Sequence, residues 1–132
     1  TINVSQQDRS TRFYCEGLGF EHVDDQHVGD EGAAPVLLTG EYLVHSRHLL
    51  VKEGFKIILN HTKVPAEPLP SFRRQLGLTN LAMEFTGDMD KMMDRLKGLG
   101  GTPMPESRAT FFGVEVMVCL DPDGQPIELI AL

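Results

Sequence analysis

The chain repeats itself at a spacing that leaves few folds open. Gly17-Leu18-Gly19 returns as Gly98-Leu99-Gly100, 81 residues later, and Gly54 returns as Gly124, 70 residues later. The difference, 81 − 70 = 11 residues, corresponds to an extra loop between Gly29 and Gly40 in the first half. Self-similarity on this scale means two copies of one supersecondary unit. Each copy reads strand, helix, strand, strand, strand. A two-stranded hairpin cannot bury a face alone, so the copies need each other or a helix to form a core. The predicted fold is α+β: two βαβββ modules forming an eight-stranded cup, helices outside and a concave face inside.

Local signals place the elements. Thr1 to Val4 reads as a short strand. Ser5 with Asp8 three residues on is a capping-box start, and the helix it opens runs to about Glu16 and ends at Gly17-Leu18-Gly19. Phe20 to Val28 is a strand weakened by Asp24 and Asp25. Gly29 to Gly40 is a loop, Glu41 to Val51 a strand, Glu53-Gly54 a turn, and Phe55 to Asn60 the returning strand. Pro65, Pro68 and Pro70 mark a linker, so module one is 1–64, the linker 65–76 and module two 77–132 of a single domain. In module two, Leu78 to Phe85 is a strand. Asp88 caps a helix with the apolar stripe Met89, Met92, Met93 and Leu96, which Gly98 to Gly101 ends. A weaker strand, Thr102 to Thr110, precedes the terminal hairpin. Phe111 and Phe112, just before that hairpin, form a lid or plug the sheet end.

That hairpin carries the one residue that asks for an explanation. Asp121-Pro122-Asp123-Gly124 is a turn by composition. A four-residue loop sets Met117 opposite Glu128 and Val118 opposite Ile127, so the valines share a face with Ile127 and Leu129. Glu128 is then left mid-strand on the other face, beside Glu115 and Met117. An isolated carboxylate there needs a partner.

Charge and composition exclude several classes. A formal net charge of −7 over 132 residues disfavours nucleic acid and anionic membrane as partners. No run approaches the roughly 20 apolar residues of a membrane span, and no signal peptide is visible, so the expected location is cytoplasmic. Cys15 and Cys119 lack metal-ligand spacing and read as reduced packing residues. His22, His27, His48 and His61 likewise show no ligand spacing and read as structural or exposed.

The segments Arg12-Phe-Tyr-Cys-Glu-Gly-Leu-Gly-Phe20, Gly77-Leu-Thr-Asn-Leu-Ala82, the helix end at Gly100-Gly101 and Asp121-Pro-Asp-Gly with Ile127-Glu-Leu129 together resemble the vicinal oxygen chelate superfamily. That superfamily includes glyoxalase I, bleomycin-resistance proteins, extradiol dioxygenases and methylmalonyl-CoA epimerase. The resemblance covers nearly the whole chain and implies the same paired βαβββ architecture. It also implies one divalent ion held by His or Glu from the first and last strands of each module. Carried over position by position, Glu128 is the one ligand retained. Ile58 stands at the equivalent place in module one, Asn80 stands where His is usual, and the fourth position falls two residues ahead of Thr1. One carboxylate does not make a site, so the expectation is no resident cofactor, with a divalent metal entering only if a His precedes Thr1.

Strand alternation, anchored on Ile58, puts His45, Arg47, Leu49 and Lys56 in the cup with it, and Asn80, Glu115, Met117 and Glu128 on the module-two side. Arg47 is the candidate partner for Glu128 and the candidate contact for an anionic or carbonyl-bearing ligand. The resulting expectation is a small polar organic ligand bound in a cup whose metal site has degenerated. A metal-dependent lyase, isomerase or dioxygenase using Glu128 plus a His upstream of Thr1 is the first alternative, and a drug-sequestering resistance protein, with acidic charge favouring a cationic drug, is the second. The resemblance further implies a homodimer.

Overall fold

In a computed structural model, residues 1–27, 44–62 and 80–132 are described, with positions 27, 44, 45 and 62 described through their backbone alone. The loop expected at 29–40, the proline linker at 65–76 and the first residues of the strands expected from Glu41 and Leu78 lie outside the described residues. The chain divides into two compact units, Thr1–Glu67 and Pro68–Leu132. Among the described residues each holds one four-stranded sheet and one helix, in the order strand, helix, strand, strand, strand. The two-module α+β fold read from the glycine repeat is therefore the observed one.

Unit one consists of β1 (Ile2–Val4), α1 (Gln7–Arg12), β2 (Glu21–His27), β3 (Val44–Lys52) and β4 (Phe55–Thr62). Its sheet order is β1-β4-β3-β2, with β1 parallel to β4 and the other pairs antiparallel. Leu50, Ile57 and Leu59 are buried on the face that α1 covers. Helix α1 does not start as the capping box predicts. Gln6 is the N-cap without a side-chain bond, and the Ser5 hydroxyl accepts instead from Arg9 Nη2 at 3.0 Å. The start is set from below: the buried Gln7 side chain donates to the Leu59 carbonyl at 2.9 Å and accepts from the Ser46 hydroxyl. A buried amide must be satisfied, and that demand outweighs a cap worth about 1 kcal/mol. The helix continues as a wider turn over Phe13–Gly17. It stops at Gly19, whose φ of +78° suits glycine. Phe13 and Tyr14 are fully buried and meet edge to face at 5.3 Å. Glu53 and Gly54 close the β3–β4 hairpin in two residues, both at positive φ, as a tight hairpin of this length requires.

Unit two consists of β5 (Leu81–Phe85), α2 (Met89–Gly98), β6 (Thr102–Phe111), β7 (Val114–Leu120) and β8 (Pro126–Ala131), in sheet order β5-β8-β7-β6. Asp88 caps α2 by accepting from the Lys91 N–H at 2.9 Å, and Met89, Met93 and Leu96 are buried. The weak strand after α2 forms, but with a three-residue offset between Met104 and Ala109. Ser107 fills the break, donating to the Met104 carbonyl at 2.6 Å and accepting from the Val118 N–H at 2.8 Å. At the β6–β7 turn, Phe111 and Phe112 are exposed.

The terminal hairpin corrects the expected register. Its loop has five residues, Asp121 to Gln125, because Leu120 pairs with Pro126. The Asp121 carboxylate, 2% exposed, accepts from the Asp123 and Gln125 N–H groups at 2.9 and 2.8 Å, which draws Gln125 into the turn. Val118, not Met117, therefore faces Glu128, and Met117 faces Leu129. One residue of slip exchanges the faces. Met117, Cys119, Ile127 and Leu129 make the buried side, while Val116, Val118 and Ile130 share a side with Glu128. Among the described residues no helix is long and apolar enough to cross a membrane.

Candidate functional site

In unit one the face turned away from α1 carries Arg47, Leu49, Lys56, Ile58 and Asn60, as alternation on β3 and β4 requires. A polar ladder crosses all four strands of this face. Arg47 on β3 donates through Nε to Asn60 Oδ1 on β4 at 3.2 Å and through Nη1 to Gln26 Oε1 on β2 at 3.4 Å. Asn60 in turn donates to Asn3 Oδ1 on β1 at 3.3 Å. Asn60 is fully buried, so its amide is a fixed brace for the guanidinium. Arg47 has five N–H donors, and only two are engaged among the described residues. Lys56 is exposed near the hairpin, and Leu49 and Ile58 are half-buried between the polar groups. The side chain of His45 lies outside the described ones; a register shift between Val44 and Ser46 falls at its position.

Arg47 also borders a cavity of about 550 Å³ in unit one. The start of α1 contributes Ser5 and Arg9, β2 contributes Asp25, and His48 and His61 come from β3 and β4. Cationic and anionic groups both line it, with polar amides between them.

In unit two Glu128 lies on the face turned from the buried layer. Ala82 pairs with it on one side and Val118 on the other. Asn80 Nδ2 donates to Glu128 Oε2 at 2.8 Å, so these two expected site residues do come together. Glu115 and Met117 do not join them. The one-residue slip puts both on the opposite face, where Met117 is buried and Glu115 accepts from Arg108 Nε at 2.5 Å. Arg108 reaches from there to Asp90 on α2 at 2.6 Å, and the two carboxylates raise the guanidinium pKa further above its usual value. Glu115 is thus part of a tie between strand and helix.

Both cysteine thiols have pKa values raised above the usual one, the reverse of the shift that activates a thiol. Burial pushes the Cys119 thiol up to about 12, with the Asp121 charge adding to the effect. Burial and then Glu16 raise Cys15. Both are free, as expected of packing residues.

One grouping has no trace in linear spacing. His22, Asp25 and His48 bring their ligand atoms within 4.8 Å of one another. In a regular strand His22 and Asp25, three apart, point to opposite faces. A bulge between His22 and Asp24 adds one residue and turns both toward His48. Nothing in the sequence marks that bulge except Val23 interrupting a polar run.

A sequence model of the Glyoxalase/Bleomycin resistance protein/Dioxygenase superfamily matches residues 1–129. Comparison with curated proteins returned no match. Among solved structures, a glyoxalase family protein from Enterococcus faecalis is 26% identical, with a TM-score of 0.67 over 98% of this chain and 91% of its own. A glyoxalase family protein from Bacillus cereus is 23% identical, with a TM-score of 0.75 over 98% of this chain and 89% of its own. A genomically encoded fosfomycin resistance protein, FosX, from Listeria monocytogenes, complexed with Mn(II) and sulfate, is 17% identical, with a TM-score of 0.64 over 99% and 87%.

Proposed function

Because the chain belongs to the glyoxalase/bleomycin resistance protein/dioxygenase superfamily, we propose that it binds a small polar organic molecule, holding an anionic or carbonyl oxygen with Arg47. The observation that supports this is the braced guanidinium. Asn60 and Gln26 hold two of its donors and orient the rest, and Arg47 borders a cavity of about 550 Å³. Cavities of this size accept metabolite-sized ligands. A planar guanidinium with free N–H groups suits a carboxylate, phosphonate or dicarbonyl. Leu49 and Ile58 lie beside Arg47 on the face turned from α1 and are not part of the lining of that cavity.

The divalent ion that the family implies does not fit the residues present. Glu128 is a single carboxylate already engaged by the Asn80 amide N–H, and Ile58 at the equivalent position in module one has no donor atom. Zinc-type sites take three or more protein ligands. The remaining expectations, a homodimer in the cytoplasm, go with this reading.

Thermal-shift screening and calorimetry with small carboxylates, phosphonates and α-dicarbonyls test it. At least one class is expected to bind, with affinity falling tenfold or more in Arg47→Met, since a charged hydrogen-bonded contact contributes about 1.5–3 kcal/mol. A set of binders indifferent to Arg47→Met overturns the reading. Sequestration of a cationic drug, suggested by the net charge of −7, has the opposite signature: binding that survives Arg47→Met and weakens with salt.

A further inference from the structure

We propose that His22, Asp25 and His48 form a site for a borderline divalent cation of the zinc type, on the helix-covered face of the unit-one sheet. It is separate from Glu128 and shares no residue with the family's ligand positions. Two imidazoles and one carboxylate are a donor set for zinc, iron(II), cobalt(II) or nickel(II), with positions left open for water or an exogenous oxygen.

The geometry is close to what such an ion needs. Asp25 Oδ1 lies 2.6 Å from His22 Nε2 and 3.3 Å from His48 Nε2. Ligand atoms about 2.0–2.1 Å from a tetrahedral ion stand roughly 3.3 Å apart. The His48 edge already has that length. The His22 edge is a hydrogen bond, in which one imidazole proton bridges to the carboxylate. Replacing that proton by the cation requires Asp25 to withdraw by less than 1 Å, about the difference between those two spacings. Its side chain is 62% exposed and has room to move. Both Nε2 atoms address the same carboxylate oxygen; the rings stack 4.5 Å apart at 25°, so His22, the more exposed of the two, has to turn for both in-plane lone pairs to meet on one ion.

Two further features indicate a built site rather than a chance surface cluster. Thr11 Oγ1 on α1 lies 2.8 Å from His48 Nδ1. A hydroxyl on the far ring nitrogen, able to donate or to accept, fixes the ring orientation with Nε2 turned toward Asp25, the kind of support common behind metal-binding histidines. The His48 side chain is only 15% exposed, so the ligand is anchored in the fold. The β2 bulge, which turns His22 and Asp25 to one face, is the second feature. Asp25 and His48 also line the cavity that Arg47 borders, so a cation here is within reach of what the cavity holds.

The test uses the whole chain, purified with chelator and then freed of it, with no organic ligand present. Cobalt(II) titration should give one equivalent per chain with a visible d–d absorption, displaced by zinc. His22→Gln and Asp25→Asn should each weaken binding tenfold or more, and Glu128→Gln should leave it unchanged. Zinc should raise the Tm of the parent protein by roughly 5 °C and of neither variant. Both substituted side chains reach solvent, and circular dichroism confirms that the variants fold. Absence of stoichiometric binding up to about millimolar cobalt, equal affinity in both variants, or loss of binding with Glu128→Gln overturns the proposal. Since no organic ligand is present, the outcome is independent of the Arg47 reading.

Discussion

The turn at Asp121 decides which side of the terminal hairpin Glu128 occupies, so its strength is the most informative quantity to measure. Asp121 Oδ1 accepts two backbone N–H groups, from Asp123 and Gln125, and the residue is 2% exposed. The turn also closes through the Asp121 N–H to the Gln125 carbonyl at 2.8 Å, which any substitution keeps. Removing the side chain with Asp121→Ala strands two donors in a place water reaches poorly. Hydrogen bonds to a charged group contribute about 1.5–3 kcal/mol each, and two sharing one oxygen add less than twice that. The expected cost is about 2–4 kcal/mol, or a Tm lowered by roughly 10 °C for a chain of this size. Asp121→Asn retains the acceptor and loses the charge, so it should cost about 1 kcal/mol. Urea unfolding followed by circular dichroism reads both, provided the slope with denaturant is unchanged. A second readout is independent of stability. The Asp121 charge helps to raise the Cys119 thiol, so Asp121→Asn should lower the Cys119 pKa from about 12. An alanine variant that loses under about 1 kcal/mol, or an asparagine variant as damaged as alanine, would refute the claim that these two bonds hold the five-residue loop.

Arg108→Met should lower the Tm slightly at low salt and not at all near 1 M salt, because its pairs with Asp90 and Glu115 are partly exposed and screened; in the same assays Glu115→Gln should leave ligand affinity unchanged, as its side chain lies with α2. Cys119 is fully buried and its pKa is raised from 9.0 to about 12, so the folded state holds its proton more tightly than the unfolded one. Its contribution is complete below pH 9.0 and is lost as pH rises toward about 12, so alkaline titration should unfold Cys119→Ala with a shallower pH dependence in that window. A steeper dependence would contradict the assignment.

Glycines and apolar periodicity made the fold legible. Gly19, Gly54, Gly100 and Gly124 all sit at positive φ, so their recurrence in the two halves marks equivalent turns rather than a compositional accident. The Met89, Met93 and Leu96 stripe lies where a helix with period 3.6 puts it. What stayed hidden depends on side chains that bond to backbone. Ser5 looks like a cap, yet Gln7, satisfied by Leu59 and Ser46, sets the helix start. Asp121 looks like the first residue of a tight turn, yet its carboxylate gathers Gln125 into a longer one. Ser107 holds the break in β6, where composition shows only a weak strand. Apart from the Ser46 hydroxyl on Gln7, each of these bonds joins a polar side chain to a backbone group whose position is known only after folding.

The common face of Arg47, Leu49 and Ile58 is legible in the sequence because β3 and β4 join through a two-residue turn whose Glu53 and Gly54 leave one register available. The faces of Glu115 and Met117 are not legible in the sequence, because the β7–β8 turn admits two loop lengths and the choice rests on a single carboxylate. The meeting of His22 and Asp25 is hidden for the same kind of reason: one extra residue at a bulge inverts the parity of everything on one side of it. The consequences for chemistry are specific. The loop at Asp121 surrounds Glu128 with Val116, Val118 and Ile130, and the Asn80 amide donates to it. The bulge in β2 converts a spacing of three, useless in a regular strand, into two nitrogens and an oxygen within 4.8 Å. In a sheet protein of this kind, single-residue irregularities in the ladder decide where ligands for a cation can assemble. The cobalt titration and the Asp121 variants each examine one such irregularity.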